Sequence, residues 1–90
     1  MARFALNEFE AGFIGTRTPD AKIFFDLGMM YAVGRSVPVD LVAAHKWFNL
    51  SSLRGSEAAK AQRESVAAEM SPTDVQSALQ AARQFLAANR

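Results

Sequence analysis

Leu27-Gly28-x-x-Tyr31-x-x-Gly34, then Val37-x-x-Asp40, then Ala44-x-x-Trp47-Phe48-x-x-Ser51-Ser52-x-x-Gly55 is the stretch whose spacing decides the fold. Its small and aromatic positions recur at the three- and four-residue intervals of a helix, and its glycines fall where helices must stop. The pattern therefore predicts two antiparallel helices with a turn between them. Such a hairpin cannot bury both of its faces alone, so the same residues ask what stacks on it.

Outward from this stretch, Thr18-Pro19-Asp20 reads as a helix start, with a capping hydroxyl, a proline at the first position and an acid near the positive end of the dipole. The first helix is expected over about Pro19 to Val33, stopped by Gly34. Asp40 then caps a second helix lasting to about Leu53, and Gly55 closes it. Ser56 can cap a third helix from Glu57 to about Glu69, and Ser71-Pro72-Thr73-Asp74 opens a fourth that reaches about Ala88. On the fourth, Val75, Ala78, Leu79, Ala82, Phe85 and Leu86 follow one buried stripe. No stretch alternates with period two for long enough to predict a strand.

The first helix is unusually apolar. Ile23, Phe24, Phe25, Leu27, Met29, Met30, Tyr31 and Val33 surround most of it, leaving Lys22 and Asp26 as a charged i,i+4 edge. Phe25 and Met29 are expected to point away from Leu27 and Tyr31 and so to need a further cover. Residues 1–17 carry Phe4, Leu6, Phe9, Phe13 and Ile14, interrupted by Gly12 and Gly15, which is too apolar for a solvated tail. They are expected either to strap the first helix or to reach another chain.

Residues 20–56 resemble a Sel-one-like repeat, an α/α hairpin of the tetratricopeptide-like superfamily. The resemblance rests on Leu27, Gly28, Tyr31 and Gly34, on Val37 and Asp40 in the turn, and on Ala44, Trp47, Phe48, Ser51, Ser52 and Gly55 in the second helix. The chain departs from the usual pattern in three ways: Ser36 replaces the second glycine of the turn, Pro38 stiffens that loop, and two serines replace the paired alanines. The resemblance implies an all-α fold, part of an α/α superhelix. It would comprise an N-terminal strap or arm over 1–17, one repeat hairpin over 18–55, and a degenerate repeat helix with a capping helix over 56–90. Gly28 costs about 1 kcal/mol in mid-helix relative to alanine, so it is expected to let the second helix approach near Ala44. Trp47 and Tyr31 would fill the hairpin.

Composition narrows the function. The chain has 90 residues, half of them hydrophobic, which suits one small domain burying only somewhat more than about 60% of its unfolded surface. Ten basic residues nearly cancel nine acidic ones and form no block, which gives no electrostatic reason to expect nucleic acid or an anionic membrane as partner. The absence of cysteine excludes disulfides, thiolate metal sites and thiol nucleophiles. Glu8 and Glu10 interrupt the region where a signal peptide needs an apolar run, and a cytoplasmic location is expected.

Chemistry is not indicated. His45, the single histidine, has Asn49 rather than a ligand one turn on and is expected at the surface or packed in the hairpin. Ser51 and Ser52 occupy packing positions without a nucleophile elbow, and Gly12-Phe13-Ile14-Gly15 lacks the strand and lysine of a phosphate loop. No enzymatic activity, cofactor or metal is expected. Proteins resembling this family commonly act as adaptors that assemble other proteins, often in bacterial signalling or envelope processes. The expected partner is accordingly a protein or peptide, held by Lys22, Phe25 and Met29 on the first helix, with Met29 supplying an adaptable thioether. The alternative is self-assembly into a homodimer through the exposed repeat edge.

Overall fold

A computed structural model describes residues 20–89, and these residues form an all-α fold of four helices. They are α1 (Ala21–Val33), α2 (Leu41–Leu53), α3 (Glu57–Ala67) and α4 (Pro72–Ala88). The reading of residues 1–17 as a strap or arm lies outside the described residues.

Each helix begins with a side chain that satisfies an otherwise orphaned amide. Asp20, Asp40, Ser56 and Ser71 accept from the backbone N–H three residues on, at Ile23, Ala43, Ala59 and Asp74. The start of α1 differs from the sequence expectation. The helix begins at Ala21 with Asp20 as its cap, because the Asp20 carboxylate takes the amide of Ile23 at 3.0 Å. Helix α3 also ends at Ala67, two residues before the expected end at about Glu69, as the amides of Glu69 and Met70 bond three residues back, to the carbonyls of Val66 and Ala67.

The turn between α1 and α2 closes on Gly34, whose φ of 77° is left-handed and whose amide bonds to the carbonyl of Met30. A Cβ there would also stand 2.9 Å from Val39 Cγ2, so both conformation and space require glycine. Two residues later Ser36 also takes a positive φ, 71°. It is the position where the resemblance called for a second glycine, and the chain adopts the glycine-like conformation there without the glycine. The far end of α2 turns at Gly55, with φ 102° and open space around it.

Helix α2 is the centre of the fold. It packs on α1, on α3 and on α4, and α3 and α4 each dock on it more closely than on one another. Trp47, Phe48, Leu50 and Ala44 are accordingly almost wholly buried, together with Phe24 and Leu27 of α1. Trp47 stacks on Phe24 (centroids 5.6 Å) and meets Phe85 of α4 edge-on at 5.1 Å, and Phe85 meets Phe24 edge-on at 5.7 Å. One aromatic trio thus ties three helices together, with each ring pair worth about 0.5–1.5 kcal/mol beyond its burial. The expected stripe of α4 holds at Ala78, Ala82 and Phe85, whereas Leu86 lies at its margin and is 38% exposed.

Candidate functional site

Helix α1 carries the residues expected to meet a partner. Lys22 and Asp26 sit one turn apart, as their spacing implies, and pair at 2.8 Å, with the Lys22 side chain 83% exposed. Phe25 and Met29 are half-buried beside them and pack on the margin of the core. Phe25, expected to point away from Leu27 and Tyr31 and to need a further cover, has part of that cover from α2. Its ring lies against Phe48 of α2, centroids 5.6 Å apart.

Gly28 itself serves the hairpin as expected, although its neighbour is not the expected one. A Cβ at position 28 would stand 2.5 Å from Phe48 Cδ1 and 2.6 Å from Cε1, so the surface of α1 is hollowed for the Phe48 ring and not for Ala44. Ala44 is fully buried all the same, as are Leu27, Trp47 and Phe48, and Tyr31 is 7% exposed. Gly34 and Asp40 frame the turn and Gly55 ends α2, so every residue of the quoted stretch occupies a packing or turn position.

Among the described residues, three buried polar side chains accompany this core. Ser51, fully buried, donates its hydroxyl to the carbonyl of Ala21 at 2.7 Å and so fastens the end of α2 to the start of α1. This gives a reason for serine where the resemblance has alanine, since an alanine could fill the space but not make the bond. Lys46 is 5% exposed, with its ammonium 4.1 Å from the Trp47 ring centroid and 5.6 Å from that of Phe85. Its aliphatic stem lies along apolar surface while the cation rests on aromatic faces. His45 is 3% exposed, and its Nδ1 has no hydrogen-bond partner among the described residues. Burial, and secondarily the positive charge of Arg63, lowers its pKa below the ordinary 6.5.

Sequence reasoning missed the burial of Lys46 and the bond made by Ser51. For Lys46 the local signal points the wrong way, because lysine is rarely buried unless partnered, and its aromatic partner on α4 is nearly forty residues away in the chain. For Ser51 the departure from alanine at a small-residue position was the available signal.

Among the described residues, no group of three or more His, Cys, Asp or Glu side chains is placed to hold a metal ion. Among the same residues, no helix is long and apolar enough to cross a membrane. The arrangement offers a partly buried apolar strip on α1 edged by the Lys22–Asp26 ion pair. No family model matches the chain, and no curated protein or solved structure does.

Proposed function

We propose that this chain is a protein-interaction adaptor of the cytoplasm, built on one Sel-one-like hairpin of an α/α superhelix, which binds a protein or peptide along α1 without catalysing a reaction. The observation that supports the reading is that Phe25 and Met29 stay half-buried beside the exposed Lys22 side chain, while Leu27, Tyr31, Ala44, Trp47 and Phe48 of the hairpin are buried. A short apolar strip with a charge at its rim matches the anatomy of a small recognition surface, where an aromatic anchor supplies area and a rim charge supplies orientation. Met29 adds a side chain that repacks at little cost.

The experiment is to replace Phe25 and Met29 together by glutamate, verify helicity by circular dichroism, and compare which proteins the variant and the native chain retain from the source cells. A partner held by the native chain and lost by the variant supports the reading, and an unchanged set defeats it. Because Phe25 touches Phe48, Met29→Glu alone serves as the milder variant.

A second reading, homodimer formation without a separate ligand, draws on the exposed apolar residues at the hairpin turn. Val33 is 58% and Val39 59% exposed there. Light scattering over a concentration series separates the two: a dimer at low micromolar concentration favours self-assembly, and a persistent monomer favours a foreign partner.

A further inference from the structure

His45 is the buried ionisable group for which neither the hairpin motif nor the adaptor reading has a use. It lies in the middle of α2, 3% exposed, with Nδ1 unsatisfied. One turn further on, Asn49 Oδ1 accepts a hydrogen bond of 2.7 Å from Nη1 of Arg63, a direct polar tie between α2 and α3. We propose that His45 is an acid-sensitive latch: taking up a proton makes it repel Arg63, breaks the Arg63–Asn49 bond and releases α3 from α2.

Among the described residues, no buried carboxylate compensates a protonated imidazole. The buried polar or charged residues among those described are His45, Lys46 and Ser51, so no carboxylate is buried beside it. From α3 the facing charge is Arg63, which is cationic, while Glu57, Lys60 and Glu64 are exposed. From α1, Lys22 and Asp26 are engaged with each other on an outer edge, and Tyr31 is uncharged at neutral pH. From α4, Asp74 and Arg83 are exposed. On α2 itself Lys46 adds a further positive charge, held over Trp47 and Phe85. A proton placed on Nδ1 would strand both a charge and a donor away from water, and such a state is relieved by letting water in.

Helix α3 is the element that can yield. It buries only Ala59 and Val66, against six residues on α1 and seven on α2. Opening it therefore sacrifices the least apolar contact, and elements with few buried contacts are those that open locally. The direction of the pH dependence follows from the lowered pKa. Neutral His45 is favoured in the folded chain, so its contribution is fully present above about pH 6.5 and is lost as pH falls below that value toward the folded-state pKa.

Because His45 is the single histidine, its ring signals in a proton–carbon NMR spectrum of the full chain belong to it alone. Three readouts are followed between pH 7.5 and 5.5: the imidazole shift, the urea-derived folding constant, and amide protection factors by helix. The expected result is an imidazole that titrates below 6.5, and a folding constant that falls further in the native chain than in His45→Gln, by up to about tenfold. Protection should be lost in α3 before α1 and α2. Arg63→Gln, which keeps the histidine, should raise the imidazole pKa and shrink the acid loss. An imidazole titrating at its ordinary value in the folded chain, an acid loss that persists in His45→Gln, or protection lost uniformly from all four helices would overturn the proposal. Should His45→Gln fail to fold, Arg63→Gln decides, and an imidazole pKa that does not move in it overturns the proposal as well.

Discussion

Helices α1 and α2 bury Phe24, Leu27, Tyr31, Trp47, Phe48 and Leu50, while α3 buries an alanine and a valine, and α4 buries two alanines and Phe85. The first pair is held by large side chains set into one another, whereas α3 and α4 bury mostly small ones, with Phe85 the one large side chain among them. Side-chain caps are common to both, since Asp20 and Asp40 open the first pair as Ser56 and Ser71 open the second. The hairpin thus stands mainly on tertiary packing, whereas α3 and α4 lean on local helix-forming signals plus a few contacts, chiefly Phe85 with Trp47. The consequence is that the first pair should resist opening more than the second.

Truncating Trp47 to alanine gives the largest expected effect. It empties a fully buried indole site at the junction of three helices, and should cost about 3–5 kcal/mol, a large part of the roughly 5–15 kcal/mol of a typical domain. Val66→Ala on α3 removes two methyl groups and should cost only about 1.5 kcal/mol. Urea unfolding of both variants checks the contrast, and equal losses would show that the two halves are not held differently.

How far the fold could be read from the sequence follows the same division. Caps such as Asp40 and Ser71 and stops such as Gly34 act on amides and torsions within three residues, so their positions in the chain suffice to place them. At Asp20 the local signals are ambiguous, because Thr18 and Pro19 offer an equally good start two residues earlier, and only the bond from Ile23 N–H to the Asp20 carboxylate decides. Gly28 was recognised as a point of close approach, but its partner Phe48 depends on how the two helices are rotated, which spacing does not fix. The burial of His45 and Lys46 requires α3 and α4 to be docked first. The excess of apolar residues on α1 is visible in the sequence, whereas the contact of Phe25 with Phe48 depends on the same rotation.

The approach at Gly28 sharpens the comparison within the first pair. Alanine there should gain about 1 kcal/mol of helix propensity, yet its methyl would stand within 2.6 Å of two carbons of a fully buried ring that has little room to retreat. Overpacking of this kind costs typically about 1–3 kcal/mol, so Gly28→Ala should be destabilising on balance. In a Phe48→Leu background the obstacle is smaller, and the same substitution should become neutral or favourable. A double-mutant cycle by urea unfolding reads the coupling, and additive effects would mean that Phe48 is not what Gly28 accommodates.

The smallest effect expected has the opposite sign. Ser36 holds φ at 71°, a left-handed conformation that costs a residue with a Cβ about 1–2 kcal/mol. Glycine would remove that strain but would add freedom to the unfolded chain, a loss of roughly 0.5–1 kcal/mol. Ser36→Gly should therefore stabilise by about 0.5–1 kcal/mol, a rise in Tm of roughly 2–8 °C for a domain of this size. Arg35, the neighbouring residue, does not adopt a positive φ, so Arg35→Gly should carry the entropic loss without the relief and lower Tm. Calorimetry on the pair isolates the backbone contribution, because both substitutions fall in the same exposed turn and neither side chain lies in the core. If both glycines lower Tm alike, the turn relaxes around serine, and the departure from glycine at this position stores no strain in the hairpin.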